Sequence, residues 1–196
     1  MTLPIEIYLA STSPRRRQLL QQIGVCFQQL PIDVHEAVEP SESPEDYVRR
    51  VALDKARTGW DAPERRHELP VLGADTEVVL DGQVLGKPRD RSHGLELLRR
   101  LAGRSHQVLS AVAVVRGARR EVGLSVSTVQ FRQLTDADCR RYWATGEPAD
   151  KAGAYAIQGR GAVFVRHLEG SYSGVMGLPL YETAVLLGRF GVDVVK

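Results

Sequence analysis

One ten-residue run, Val71–Leu80 (VLGADTEVVL), constrains this chain more than any other segment. Its β-branched and apolar residues read as a strand, and Asp81-Gly82 closes it with a hairpin turn signal. Asp75 interrupts the run, although aspartate is disfavoured in strands and a buried carboxylate is costly unless paired or metal-bound. A strand that carries such a residue in its middle points to a functional position. Two further β runs, Gln107–Val115 and Glu121–Phe131, flank Arg116-Gly117-Ala118-Arg119 and read as a second, longer hairpin.

Helical segments alternate with these strands. Ile5–Ala10 reads as a strand followed by a tight loop. Ser13 then serves as N-cap and Pro14 as first helical residue of a short helix that stops at Gly24. Cys26–Val34 reads as a second strand, and Ser43-Pro44-Glu45-Asp46 opens a long helix to about Thr58. Ser92–Leu101 and Thr135–Thr145 carry helical spacing, and Asp150–Gly161 reads as a Gly-rich loop. Ala162–Leu168 reads as a strand, Gly170–Pro179 as a Gly-rich turn, and Leu180–Arg189 as the last helix. The expected class is therefore α/β with a mixed sheet flanked by helices, in one domain spanning residues 1–196.

Composition excludes several functions. A formal net charge of +2 and 6% aromatic residues argue against a nucleic-acid-binding module, which needs a basic face with stacking aromatics. Cys26 and Cys139 lie far apart with no CxxC, and the five histidines show no HxxxH or HExxH spacing. Neither a disulfide framework nor a thiolate or histidine metal site is indicated. No segment approaches the ~20 apolar residues of a spanning helix, so the expectation is a cytoplasmic protein that meets neither membrane nor nucleic acid. The phosphate loops GxxxxGK[ST] and GxGxxG are absent. Lysine occurs only at Lys55, Lys87, Lys151 and Lys196, against twenty-two arginines, so each lysine is a sharper signal than any arginine.

Four polar junctions carry the candidate chemistry. Ser11-Thr12-Ser13-Pro14-Arg15-Arg16 joins a helix N-terminus, which attracts anions, to two bidentate phosphate donors. Asp75-Thr76 lies in the long strand, and the same hairpin returns through Gly86-Lys87-Pro88, bringing an ammonium toward Asp75. Asp150-Lys151-Ala152-Gly153-Ala154-Tyr155-Ala156-Ile157-Gln158-Gly159 offers a carboxylate, an ammonium and an amide from one loop of small residues. Gly170–Leu180 reads as a turn into a helix. Glu36 offers a second carboxylate to a metal set with Asp75. By themselves Glu36 and Lys55 read as solvated surface residues.

Taken in order, these segments resemble the Maf family of nucleoside triphosphate pyrophosphatases. The matching motifs are Leu9-Ala10-Ser11-Thr12-Ser13-Pro14-Arg15-Arg16, Gly73-Ala74-Asp75-Thr76, Gly86-Lys87-Pro88 and Gly103-Arg104-Ser105-His106-Gln107-Val108. Asp150–Tyr155 through Gln158-Gly159 and Val175-Met176-Gly177-Leu178-Pro179-Leu180 complete the series. The resemblance implies a two-lobed α/β fold around a deep groove, related to that of inosine triphosphate pyrophosphatases and usually dimeric. It implies hydrolysis of a nucleoside triphosphate to monophosphate and pyrophosphate with a divalent metal, Mg²⁺ or Mn²⁺. Asp75 matches the catalytic aspartate, as general base or metal ligand. Ser13, Arg16, Lys55, Lys87 and Lys151 match phosphate-facing positions, and Glu36 an accessory metal-binding carboxylate. Arg15, Thr76 and Gln158 match the three positions that mark the branch preferring dTTP and UTP. Alternatives are a pyrophosphatase with broader or modified pyrimidine substrates, including CTP, and a non-catalytic nucleotide-binding regulator of cell division. The family's role in clearing nucleotide pools is part of the same implication.

Overall fold

The computed structural model describes residues 4–194, so Lys196 lies outside the described residues. Strand β1 (Ile7–Ala10) is buried on both faces, as a strand with parallel neighbours on each side must be. Helix α1 (Pro14–Gln22) follows, with Ser13 at the N-cap and Pro14 in the first turn. Ser13 caps by backbone position only; its N–H is bound by the Ser11 hydroxyl at 3.1 Å. Strand β2 (Phe27–Leu30) is shorter than the Cys26–Val34 expected from sequence, because it pairs residue for residue with the four-residue β1 and has no further partner. Helix α2 (Pro44–Trp60) starts at Ser43, whose hydroxyl accepts from Asp46 N–H at 3.1 Å.

Strand β3 (Val71–Leu80) occupies the expected run, and Asp81 and Gly82 both take positive φ to turn it into the two-residue β4 (Gln83–Val84). Helix α3 (Arg91–Leu101) is capped by Asp90 and starts one residue before the expected Ser92. The long hairpin is β5 (Ser105–Arg116) with β6 (Arg119–Phe131), in register from Ser105↔Gln130 to Arg116↔Arg119. Helix α4 (Asp136–Trp143) has the full Thr135/Asp138 capping box.

Between α4 and β7 (Val165–Glu169) the chain makes three short 3₁₀ turns, the last over Arg160–Phe164. The apolar run that reads as a strand from Ala162 is therefore helical at its start. Val163 is 69% exposed while Gly161 and Phe164 are buried, an i, i+3 spacing rather than the alternation of a strand. The Gly-rich turn contains the one-turn helix α5 (Tyr172–Met176), and α6 (Leu180–Arg189) closes the fold.

The seven strands form one mixed sheet in the order β2-β1-β3-β5-β6-β7, with β4 on β3. On one face α2 packs Val51 and Ala52 against Val79, Ala111 and Ala113. On the other face the core is divided. Leu72 and Ala74 of β3 join Val112, Val114 and the α6 leucines, whereas Val78 and Leu80 join Val108 and the leucines of α3. Thr76 and Ser110 lie opposite each other at the boundary, with hydroxyls 2.9 Å apart. A polar seam thus separates the two apolar clusters on this face.

Gly73 lets α2 approach this sheet closely. A Cβ there would fall inside contact distance of the Ala52 carbonyl and the Ala56 amide, both helix backbone that cannot step aside. Gly73→Ala should therefore lower stability by about 1–3 kcal/mol through overpacking. Urea denaturation should show a lower midpoint with an unchanged slope; a wild-type midpoint would refute the close-approach argument.

Candidate active site

The sheet itself opens the site. β1 pairs with β3 only at Tyr8↔Val71 and Leu9↔Leu72, and β4 returns only at Val79 and Leu80. Along this edge residues 73–77 have no neighbouring strand, so side chains of both faces of β3 reach one cavity of about 540 Å³. All ten sequence-predicted residues border it. Ser13, Arg15 and Arg16 come from the start of α1, Glu36 from the β2–α2 connection, and Lys55 from α2. Asp75 and Thr76 come from β3, Lys87 from beyond β4, and Lys151 and Gln158 from the segment before β7.

A buried ion cluster lies at one end. Lys55, only 8% exposed, places Nζ 2.8 Å from Asp75 Oδ1 and 2.5 Å from Glu36 Oε1. The ammonium beside Asp75 is thus that of Lys55 rather than Lys87, which instead approaches Glu36 Oε2 at 3.9 Å. Tyr47 of α2 donates to the Glu36 carbonyl at 3.1 Å and fixes that connection. Burial works against ionisation of Glu36, but the Lys55 hydrogen bond and charge, with Lys87 and Arg16, hold its carboxyl below the usual range.

Arg16 is anchored by the chain that closes the cavity. Its Nε donates to the Gly177 carbonyl at 2.8 Å and Nη1 to the Ser11 hydroxyl at 3.3 Å. Burial lowers its pKa, with Asp75, Glu36 and Glu77 opposing that shift and Arg15 adding to it. It stays charged all the same. Asp150 gathers the remaining cations: Lys151 Nζ bonds its Oδ1, and Arg15 Nη1 lies 3.8 Å from its Oδ2.

Gln158 is exposed on a loop whose backbone is clasped from behind. Glu147 accepts from the N–H groups of Arg160 (2.9 Å) and Gly161 (3.1 Å) and from the Tyr142 hydroxyl (2.6 Å). That hydroxyl in turn accepts from Ala156 N–H at 3.0 Å. Gly159 is required at the clasp, since a Cβ there would run into the Glu147 carboxylate.

The family model described as Maf-like protein matches residues 6–190. The chain belongs to the Maf family. Three similar relatives are each named dTTP/UTP pyrophosphatase. That of Alkalilimnicola ehrlichii is 60% identical over 191 residues, covering 95% of this chain and 94% of that protein. That of Methylococcus capsulatus is 55% identical, covering 98% and 94% respectively. That of Escherichia coli O157:H7 is 51% identical, covering 94% and 92%.

Residues outside the ten candidates also shape this cavity. Glu77 borders it and is 9% exposed; burial pushes its carboxyl up to about 8, with the charges of Asp75 and Glu36 adding to the rise. Its signal in the sequence is the two-residue step from Asp75, which puts both on one face of a strand. Glu147 gives no such signal, because Gly146-Glu147-Pro148 reads as a turn. Tyr155 lines the cavity, and its hydroxyl lies 2.9 Å from Nε2 of the buried His106. Among the described residues no helix is long and apolar enough to cross a membrane.

Burial lowers the His106 pKa to about 4. The unfolded imidazole titrates near 6.5, so the unfolded state takes up a proton first and stability falls as pH drops from 6.5 toward 4. Between pH 7 and pH 5 this group should remove about 2 kcal/mol of stability. His106→Gln should show that much less loss over the same interval; equal slopes for variant and wild type would refute the assignment.

Proposed function

We propose that this Maf protein hydrolyses dTTP and UTP to the nucleoside monophosphate and pyrophosphate. The observation that carries the reading is that the triad Arg15, Thr76 and Gln158 borders the same cavity as Asp75, Lys55, Lys87 and Lys151. Relatives at 51–60% identity bear the corresponding name.

The hydrogen-bond directions around Thr76 support a uracil or thymine base. Ser110 Oγ donates to the Gly174 carbonyl at 2.6 Å, which uses its one proton. In the Thr76–Ser110 contact the donor is then Thr76, whose hydroxyl is left with lone pairs only. An acceptor complements the N3–H of uracil and thymine, whereas N3 of cytosine is itself an acceptor. A Gln158 amide donates and accepts at once, and Arg15 donates to a carbonyl oxygen.

At the polyphosphate end Arg16, Lys87 and Lys151 offset the roughly four negative charges of a triphosphate near neutral pH, given its phosphate ionisations. Lys55 orients Asp75 through Oδ1, and Asp75 Oδ2 has no partner, so that oxygen is available to a water proton or to a cation. The orphaned oxygen fits a divalent metal, for which Asp75 and Glu36 are the residues the family resemblance offers. Such a metal, when bound, offsets charge on the phosphoryl oxygens. We place the enzyme in the cytoplasm as a homodimer of single-domain, bilobed subunits that clears nucleotide pools.

Pyrophosphate release over a nucleotide panel with Mg²⁺ and Mn²⁺ tests the reading. Turnover of dTTP and UTP should exceed that of CTP and the purine nucleotides, and Asp75→Asn should lower it about 10²–10⁴-fold with the fold intact. Near-wild-type turnover by that variant, or no turnover by the wild type, would overturn it. Ser110→Ala releases the Thr76 proton to face either way. It should raise CTP hydrolysis relative to UTP by about tenfold, the worth of one hydrogen bond; an unchanged ratio would show that Thr76 does not read N3.

A further inference from the structure

Two buried carboxylate oxygens at the cavity have no hydrogen-bond partner, Asp75 Oδ2 and Glu77 Oε2. Their residues are 5% and 9% exposed and both border the cavity. They stand two apart on β3, so their side chains leave the same face of the strand. A buried carboxylate with a bare oxygen is costly, and a cation relieves two of them at once. No protein cation hydrogen-bonds either bare oxygen: Arg16, whose charge acts on both carboxylates, donates to the Gly177 carbonyl and the Ser11 hydroxyl. Lys55 is committed to Asp75 Oδ1 and Glu36, and Lys87 lies nearest Glu36. Glu36 has its own oxygens turned to those two ammonium groups, which leaves Glu77 as the carboxylate best placed to join Asp75.

We propose that Asp75 and Glu77 form a divalent-cation site in which Glu77 is the second protein ligand. Among the described residues no three or more His, Cys, Asp or Glu are arranged to hold a metal together. The protein therefore supplies two hard oxygen ligands, and water or phosphate oxygens supply the rest, which is how Mg²⁺ and Mn²⁺ commonly bind at phosphate-processing sites. The site rests on the pyrophosphatase reading only for its phosphate ligands; binding of the metal alone does not depend on it.

The test is Mn²⁺ binding to the nucleotide-free protein, followed by electron paramagnetic resonance of free Mn²⁺ and by the Mn²⁺-induced rise in melting temperature. Glu77→Gln should weaken Mn²⁺ binding about tenfold or more and abolish most of that rise. Without metal it should melt at or near the wild-type temperature, because an amide of the same shape replaces a buried acid with an unpartnered oxygen. Glu36→Gln should change Mn²⁺ affinity less than Glu77→Gln does. Glu77→Asp, which withdraws the carboxylate by one methylene, should weaken binding in the same direction and serves if the glutamine variant fails to fold. Wild-type Mn²⁺ affinity in both Glu77 variants, or no Mn²⁺ binding by the wild type, would overturn the proposal. Mn²⁺ binding that is intact in a wild type lacking UTP turnover would sink the pyrophosphatase reading and leave the site standing.

Discussion

The contact on which the rest of the site depends is the Lys55 ammonium held between Asp75 and Glu36. It joins three pieces of chain that are distant in sequence: helix α2, strand β3 and the connection after β2. Its contribution to stability is not the reason for its presence. Burying an ion pair costs desolvation that the attraction roughly repays, whereas deleting one partner strands the other and costs about 3–5 kcal/mol. The pair instead sets geometry. It uses one oxygen of Asp75 and leaves the other without a hydrogen-bond partner, and Gly73, two residues before Asp75, brings α2 close enough for Lys55 to reach.

The groove follows from a mismatch in strand length. A four-residue β1 beside a ten-residue β3 leaves the middle of β3 without a neighbour on that edge. Where strands stay paired, as from β3 through β5 to β6, alternation sorts side chains into opposite faces. At the open edge that sorting no longer separates them, and Asp75 and Thr76 meet one ligand space from opposite faces. The interruption of the core at Thr76 and Ser110 lies at the same level, so the break between the two apolar clusters and the hydroxyl that borders the cavity arise from one pair of positions.

This explains which parts were legible from sequence. The long strands and capped helices are encoded locally, by β-branched runs, by Asp81-Gly82 and by Thr135 with Asp138, and they stand close to where reading placed them. The end of β2 and the 3₁₀ turn at Arg160–Phe164 are decided by tertiary partners, the length of β1 and the burial of Phe164 among aromatic rings. The site divides in the same way. The ten candidate residues do converge, because the motifs carrying them are junctions at strand and helix ends. Which cation meets which carboxylate was not legible. The ammonium at Asp75 comes from a helix that crosses the face of β3, not from the hairpin that continues it. Glu77 went unread because glutamate on a strand of a mixed sheet is ordinary until its face is known to be buried.

The scarcity of lysine now has a structural counterpart. Lys55 serves two carboxylates in a space 8% open to solvent, which suits a compact ammonium with three rotatable donors better than a planar fork. Arg16 has the opposite task. Its fork is gripped by the Gly177 carbonyl and the Ser11 hydroxyl, so a rigid, permanently charged group is presented at a fixed angle in a half-buried position. An exchange of the two residue types would fail at both positions for different reasons, geometry at Arg16 and volume at Lys55. In a chain with twenty-two arginines, composition drifts toward arginine wherever either cation will do. The lysines that remain in the cavity therefore mark the points where a small, adjustable charge is required.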